Sequence, residues 1–350
     1  MTTLTIAVDL AKNVFEIAIS PRPGFIQERK RLNRLQFEQF WAARGSCLVV
    51  MEACSTSYFW ARWLRARGFD VDLVPPHFVP AYGRRNKPDR ADCEAILEAH
   101  RCAGIHPVAI KSEDQQALIA LHRVRAQWLE SRTARINTMR AQLREFGIAS
   151  VPRSKRFMND LHQLLADRRD QLPPLVQRTL LLLWEETRDL EQRIHAIDDE
   201  LELFAQQEPV VQTLLKIPGI GTLTATAVFA TVTDIHAFKS GRHLASWLGL
   251  TPREHSSGSR RRLGRMSKQG DAYVRMLLIH GARSALNAAR RSVQAERPLT
   301  ELQAWAIKRT EHAHPNKAVV ALANKLVRII WAVWYHERTF NGNYAVRHAA

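Results

Sequence analysis

Four acidic side chains lie where a carboxylate could bind a metal ion. Asp9 follows the apolar run IAV and Glu52 follows LVVM, so both are expected at the ends of buried strands. An ionised carboxylate in such a place is costly unless it meets a cation or strong hydrogen-bond donors. Asp89 and Asp92 are three residues apart, and on a helix they would share one face. Together the four could hold Mg²⁺ or Mn²⁺ ions that promote in-line attack at a phosphodiester.

Each of these acids also has a structural explanation. Proline followed by aspartate at positions 88 and 89 is typical of a helix start, where proline fits the first turn and the helix dipole favours an acid. At the strand ends, Asp9 and Glu52 could equally stabilise a turn. The combination of all four is more specific than any one of them, so it supports the metal-site hypothesis.

A second candidate for chemistry is the segment GLTPREHSSGSRRRLGRMSKQG at residues 249–270. Its small residues could expose a serine hydroxyl, while the cations could bind phosphate and stabilise charge that develops on its oxygens. By composition alone, an arginine-rich nucleic-acid-binding loop is favoured over a catalytic one. His255 is a possible base for a serine, although adjacency in sequence does not establish contact. The cations expected to contact nucleic acid in this segment are Arg253, Arg260, Arg261, Arg262, Arg265 and Lys268.

The segment KIPGIGT at residues 216–222 has the form of a helix-hairpin-helix turn. Glycines allow the backbone to approach a phosphate closely, and the N-terminus of the following helix presents free N–H groups to it. Lys216, Gly219 and Gly221 are therefore predicted to bind nucleic acid. The structural alternative is an ordinary turn between two helices.

Composition points to a polyanionic partner. The chain has 350 residues, with 51 lysines and arginines against 34 acids and a formal charge of +17. Such an excess favours nucleic acid. The most apolar stretch, residues 318–334, contains Asn324, Lys325 and Arg328, which argues for a core helix and against a membrane partner. Because no leader pattern opens the sequence, a cytosolic protein is expected, with its four cysteines reduced.

The elements expected to position the acids form an α/β domain over residues 1–110. Strands are predicted at 4–9, 14–19, 25–31, 47–52 and 71–74, and helices at 35–44, 57–67 and 89–102. The resulting order, β-β-β-α-β-α-β-α, suits a ribonuclease H-like fold. A hairpin turn is expected around Pro21, Pro23 and Gly24.

Long helices are predicted over residues 111–207. Apolar residues there repeat with heptad spacing at Leu183, Leu190, Ile194, Ile197, Leu201 and Phe204, interrupted at Thr187. This pattern predicts a coiled-coil arm, as an intramolecular hairpin or as pairing between subunits. A third domain, helical throughout, is predicted at 208–340, followed by a tail at 341–350.

The sequence resembles the insertion-sequence transposases of family one-ten, the bridge-RNA-guided recombinases with a DEDD motif. The resemblance covers nearly the whole chain. It rests on the order and spacing of five segments: IAVDLAKN, VVMEA, NKPDRADCEA, IPGIG and WLGLTPREHSSGSRRRLGRMSKQGDAYVR.

The resemblance implies that Asp9, Glu52, Asp89 and Asp92 are the metal-binding acids of a RuvC-like, ribonuclease H-like domain. It also implies that Ser257, directly before Gly258, is the nucleophile that forms a phosphoserine link to DNA. Donor and target DNA, a noncoding guide RNA and a second subunit are the implied partners, in a homodimer or homotetramer. Base pairing by the RNA would then read the sequence.

Three other functions remain open. A RuvC-like nuclease, for example a junction resolvase, would need the acids but no serine. A basic nucleic-acid-binding protein without chemistry would need neither. An actin-like or sugar-kinase-like ATPase would share an aspartate in its first strand, but the sequence has no persuasive second glycine-rich phosphate loop.

Overall fold

A computed structural model describes residues 4–82, 92–148, 154–258, 260–311 and 313–342. The chain divides into two compact units, Met1–Ser112 and Glu113–Ala350. Each unit is described by itself. Asp89 and most of the tail predicted at 341–350 lie outside the described residues.

The N-terminal unit is built on a five-stranded mixed sheet in the order β3-β2-β1-β4-β5. The strands are β1 (Thr5–Leu10), β2 (Val14–Ser20), β3 (Glu28–Asn33), β4 (Leu48–Glu52) and β5 (Asp70–Val74). The first three are antiparallel, whereas β4 and β5 run parallel to β1. Helical crossovers make those parallel pairings possible, because parallel neighbours cannot be joined by a tight turn.

Three helices cover the two faces of this sheet: α1 (Arg34–Ala42), α2 (Ser57–Arg65) and α3 (Asp92–Arg101). Successive strand residues point to opposite faces, so Ile6 and Val8 enter an aromatic-rich core while Ala7 enters a smaller one. The aromatic core includes Phe37 and Trp60, whose rings meet edge to face at 5.0 Å between centroids. The helix α3 packs in the second core, where small residues allow it close to the sheet.

The order of strands and helices predicted for this unit agrees with the structure. The largest difference concerns the third strand, predicted at 25–31 and found at Glu28–Asn33. The sequence of this strand, ERKRLN, is polar, so no apolar pattern shows where the strand ends. It lies at the edge of the sheet, where charged residues are tolerated because they discourage pairing with another chain. Asn33 then caps α1 in a reciprocal capping box with Gln36.

In the second unit, two long helices form an antiparallel hairpin: α4 (Glu113–Glu145) and α6 (Pro174–Gln207). Two cross-helix ion pairs show that the helices run antiparallel: Arg125 lies 2.5 Å from Asp198, and Arg132 lies 2.5 Å from Glu191. The shorter helix α5 (Ser154–Asp167) packs at the closed end of this hairpin. The heptad residues of α6 pack within the same chain, which is one of the two arrangements predicted for them. Those near its C-terminal end, such as Leu201 and Phe204, contact α8 as well as α4.

Six further helices share the largest core of the molecule. They are α7 (Pro209–Leu215), α8 (Thr222–Val232), α9 (Gly241–Trp247), α10 (Ala272–Gln294), α11 (Glu301–Glu311) and α12 (Pro315–Tyr335). By length and composition α12 could cross a membrane, but 56% of its apolar window is buried inside the protein. A core helix passes the same test, and the prediction of a core helix here fits this burial.

The expectation that this region is helical throughout was wrong at one place. Strands β6 (Pro252–Glu254) and β7 (Leu263–Met266) pair as an antiparallel hairpin within the serine-containing segment. All but one of their residues are exposed, so the sequence there lacks the alternation of apolar and polar residues that would predict a strand.

Candidate functional site

Two of the predicted metal-binding acids lie at the same edge of the N-terminal sheet. The parallel pairing of β1 with β4 ends at Val8 opposite Met51. Asp9 and Glu52 follow directly on those two strands. Carboxyl ends of neighbouring parallel strands meet at one edge, which brings the two carboxylates there.

The third acid is Asp92, the first residue described in α3. Its neighbour Cys93 is buried and donates a hydrogen bond from Sγ to the carbonyl oxygen of Glu16, at 3.2 Å, which holds the start of α3 against β2. Burial raises the pKa of Glu52, and the nearby charges of Asp9 and Asp92 raise it further. Glu52 is therefore close enough to both Asp9 and Asp92 to be affected by their charges.

Among the described residues, no group of three or more histidine, cysteine, aspartate or glutamate side chains is arranged tightly enough to hold a metal ion. Asp89, the fourth predicted ligand, lies outside those residues. The donor set nevertheless suits a hard divalent cation, because carboxylate oxygens are its preferred ligands and a cation would relieve their repulsion. Asp9, Glu52 and Asp92 therefore match such an ion in the chemistry of their donor atoms, and their assignment as its ligands stays a prediction.

In the C-terminal part of the second unit, the predicted nucleophile lies at the tip of the hairpin formed by β6 and β7. Ser257 and Arg260 exchange two backbone hydrogen bonds, of 3.3 and 3.2 Å, and so close the tip. Gly258 takes a positive φ of 56° inside it, with nothing within 4 Å of the place where a Cβ would stand. Every described residue from Pro252 to Arg265 is exposed, including the predicted DNA-binding arginines.

The two neighbouring serines differ in their hydrogen bonds. Ser256 Oγ donates to the carboxylate of Glu254 at 2.7 Å and accepts from the backbone N–H of Arg262 at 3.0 Å. Ser257 is exposed, and its hydroxyl makes no hydrogen bond to a described residue. Ser256 is thus part of the hairpin's own structure, whereas Ser257 presents its hydroxyl to solvent.

His255 is not in hydrogen-bond contact with Ser257. Its imidazole lies against the strand opposite, where a Cβ placed on Gly264 would stand 3.3 Å from Cδ2 and 3.4 Å from Nε2. Its backbone N–H donates to the carbonyl oxygen of Arg262 at 2.8 Å. In this conformation the histidine packs on the hairpin stem, and the possible role as a base stays a prediction.

The stem of the hairpin is fixed by groups that the sequence did not reveal. Arg275, on α10, is buried and donates to the carbonyl oxygens of Leu248 at 3.2 Å and Gln269 at 2.6 Å, one on each side of the hairpin. Gly249 and Gly270 have positive φ angles of 71° and 72°. Each lies tightly against the backbone on the other side of the hairpin stem. The sequence analysis did not single out Arg275, because its burial and its two carbonyl partners are properties of the fold.

At the predicted helix-hairpin-helix turn, Lys216 and Gly221 are exposed and Gly221 caps α8. Gly219 instead packs on α10, since a Cβ there would stand 2.4 Å from the carbonyl oxygen of Gly281. Close packing of the turn against α10 is reason enough for a glycine at 219. Contacts of Lys216, Gly219 and Gly221 with nucleic acid stay predictions.

Two family models match most of the chain. A model for the transposase IS116/IS110/IS902 family matches residues 211–296, which include the glycine-rich turn and the serine hairpin. A second, described as a transposase and covering the DEDD domain of IS110 elements, matches residues 6–148. Both segments contain the residues predicted to do chemistry in their part of the chain.

Individual relatives are similar over almost the full length. A protein of Pseudomonas aeruginosa described as "Probable family 20 transposase" is 37% identical over 97% of this chain and 99% of its own. The transposase for insertion sequence element IS1111A of Coxiella burnetii is 36% identical over 96% and 90%. The transposase for insertion sequence element IS1328 of Yersinia enterocolitica is 38% identical over 94% and 96%.

The carboxylate edge, the basic serine hairpin and these relatives define a DNA transposase. The chain belongs to the IS110 family of insertion-sequence transposases and carries that family's DEDD transposase domain. Its substrate is accordingly DNA, and the DEDD domain indicates dependence on a divalent metal ion. The resemblance noted in the sequence is confirmed.

Proposed function

We propose that this transposase cleaves and exchanges DNA strands with two sets of residues, a DEDD metal site and a serine nucleophile. Asp9, Glu52, Asp89 and Asp92 would form the metal site, and Ser257 would form a phosphoserine link to DNA. The observation that carries the serine assignment is the contrast at the hairpin tip, where the hydroxyl of Ser257 is exposed while that of Ser256 is bound within the hairpin.

In the proposed step, Ser257 Oγ forms a bond to the phosphorus of a DNA phosphodiester, and one phosphorus–oxygen bond to a sugar breaks. The hydroxyl proton leaves to solvent, and the departing sugar oxygen takes up a proton. A hydroxyl of another strand can reverse the reaction and complete the exchange, so no oxidant or nucleotide cofactor is required. The cations Arg253, Arg260, Arg261, Arg262, Arg265 and Lys268 would stabilise charge on the phosphoryl oxygens.

A divalent ion held by the four acids would polarise a phosphoryl oxygen and neutralise developing charge. Mg²⁺ is the proposed ion and Mn²⁺ the substitute. The ribonuclease H-like assignment is supported by the three antiparallel strands followed by two parallel ones, with acids at the carboxyl ends of β1 and β4.

The further proposals concern partners and organisation. A charge of +17 suits a protein that holds donor DNA, target DNA and a guide RNA at once. A homodimer or homotetramer would combine the acids of one subunit with the serine of another. The proposed domains are 1–110, the helical region 111–207 and the catalytic region 208–340, followed by the tail 341–350. Action in the bacterial cytoplasm, at the nucleoid, follows from the substrate.

The test is recovery of protein-linked DNA from denatured cells that carry the protein with its flanking element DNA. Wild type and Ser256→Ala should give an adduct, whereas Ser257→Ala and Asp9→Asn should give none. Ser256→Ala is the matched control, because it removes an identical hydroxyl one residue away. If Ser257→Ala rearranges DNA like wild type and no adduct forms, the acids act alone, and the hydrolytic-nuclease alternative replaces this proposal.

A further inference from the structure

Beside the serine hairpin, the C-terminal helices enclose a cationic cavity of about 1020 Å³. Its walls come from the hairpin stem, α11 and α12. Five of the described residues that line it are cationic, and none is acidic: Arg265, Arg309, Lys317, Lys325 and Arg328. A cavity of this volume is large enough for a nucleotide.

Lys325 is the unusual member of this set. The residue is only 6% exposed, yet its ammonium makes no hydrogen bond or ion pair to a described residue. It lies over the ring of Trp305, whose centroid is 4.7 Å from Nζ. Burying a charge without a counter-ion is unfavourable, and a cation–π contact offsets only part of that cost.

The surroundings add to this cost. Burial lowers the pKa of Lys325, and the positive charges of Arg328 and Arg309 lower it further. The guanidinium of Arg309 also lies over Trp305, with its carbon 5.5 Å from the ring centroid. Cations that repel one another at a buried place are stabilised by an anion that binds among them.

The cavity's position favours a nucleic-acid phosphate as that anion. Asn324, next to Lys325, donates from Nδ2 to the carbonyl oxygen of Leu250 at 3.2 Å and so ties α12 to the start of the hairpin. Pro252 and Gly264 of the hairpin itself are among the lining residues. The cavity therefore opens directly beside the hairpin.

We propose that this cavity binds a phosphodiester of the DNA strand on which the transposase acts, with Lys325 as its most buried cation and Arg309 and Lys317 contributing to the same phosphate site. The apolar walls, among them Leu250 and Val320, would contact the adjacent sugar or base. This site depends on the family's action on DNA and not on the serine chemistry. Its described lining does not include Arg260, Arg261 or Arg262 at the hairpin tip, and it shares only Arg265 with the hairpin cations named above.

The test compares the full chain with Lys325→Met, which keeps the length of the side chain and removes its charge. Binding of a labelled DNA duplex of arbitrary sequence should weaken roughly tenfold, and the slope of log affinity against log salt should fall by about 1. Lys239→Met is the control, since Lys239 is exposed and outside the described lining of the cavity. It should change affinity by about twofold or less.

Thermal unfolding separates binding from folding. Without DNA, Lys325→Met should melt at the wild-type temperature or above, because an uncompensated buried charge has gone. Inorganic phosphate should raise the melting temperature of wild type more than that of the variant. If Lys325→Met binds DNA as Lys239→Met does, the proposal is wrong and the lysine is a core residue only.

Two further arms keep the result decisive. Should Lys325→Met fail to fold, Lys317→Met replaces it, because Lys317 is exposed at the rim and its loss leaves the core intact. It should show the same fall in salt slope, and an unchanged slope would overturn the site. An RNA duplex of the same sequence gives the other comparison. If the substitution weakens binding of the RNA duplex but leaves binding of the DNA duplex unchanged, the assignment to DNA is wrong.

Discussion

Ser256 Oγ donates a hydrogen bond of 2.7 Å to the carboxylate of Glu254, the last residue of β6. The same carboxylate lies 3.4 Å from the guanidinium of Arg261, so it links the two sides of the tip. Glu254 is the only acid between Gly249 and Gly270. Its position explains how a segment so rich in cations keeps a defined hairpin.

The first prediction concerns Ser256→Ala. The hydroxyl of Ser256 accepts the backbone N–H of Arg262 at 3.0 Å, so its removal should leave that amide without a partner inside the protein. Hydrogen exchange at Arg262 should become faster, while the exchange of the α10 amides stays as in wild type. Formation of protein-linked DNA should continue, because the neighbouring Ser257 is untouched.

The assignment of a structural role to Ser256 and a chemical role to Ser257 would be contradicted if Ser256→Ala abolished the DNA link but left hydrogen exchange at Arg262 unchanged. It would make Ser256 the reacting group and Glu254 its partner. Ser257→Ala provides the comparison, since it removes no hydrogen bond to a described residue.

The second prediction concerns the glycines of the hairpin stem. A Cβ on Gly249 would stand 2.2 Å from the carbonyl oxygen of Gln269, and one on Gly270 would stand 2.1 Å from that of Trp247. Gly249→Ala and Gly270→Ala should each destabilise the protein by more than about 1 kcal/mol, since a backbone clash adds to the strain of positive φ. Chemical denaturation of the full chain measures both values.

Gly258→Ala is the matched control for these variants. Gly258 also has a positive φ, of 56°, but open space surrounds it. Its replacement should cost only the strain, roughly 1 kcal/mol. Equal losses at all three positions would show that the stem can relax and that Arg275 does not hold its two sides together.

The third prediction concerns metal removal. Asp92 is one of the two charges that raise the pKa of Glu52, and carboxylate oxygens are the preferred ligands of a divalent cation. The melting temperatures of wild type and Asp92→Asn in a chelator serve as the two reference values. Added Mg²⁺ or Mn²⁺ should raise the melting temperature of wild type and have a smaller effect on the variant.

A surface acid provides the control for metal addition. Asp160 lies on α5, half-exposed, with Arg156 as its ion-pair partner at 3.3 Å. Asp160→Asn should respond to Mg²⁺ as wild type does. An Asp92→Asn protein that gains as much from the metal as wild type would remove Asp92 from the proposed ligand set.

The sequence allowed much of the N-terminal unit to be predicted, for a physical reason. Its strands alternate or run apolar, and Asp9 and Glu52 interrupt that pattern where it ends, so the pattern predicts both element and site. The serine hairpin offered no such signal, because its strands are short and exposed. The anchor Arg275 and the buried Lys325 became visible only in the fold, since burial of a single cation leaves no trace in local composition.

The last prediction concerns a buried histidine between the helices of the second unit. His122 is 3% exposed, with Nε2 3.0 Å from Thr226 Oγ1 and Nδ1 3.1 Å from the hydroxyl of Tyr273. The hydroxyl of Thr226 donates to the carbonyl oxygen of Thr222 at 2.7 Å, so it accepts from Nε2–H. Nδ1 is then the acceptor for Tyr273, and the imidazole is neutral.

Burial and the nearby charge of Arg125 lower the pKa of His122 from 6.5 to about 4, although Asp198 and Asp271 oppose this shift. The unfolded chain binds the proton more readily, so the histidine's contribution to stability is complete above about pH 6.5 and is lost as the pH falls toward about 4. Between about pH 7 and about pH 5 the free energy of unfolding should fall by about 2 kcal/mol more in wild type than in His122→Gln. Denaturation curves at both pH values measure this difference, and an equal fall in the two proteins would mean that His122 does not titrate as a buried neutral group.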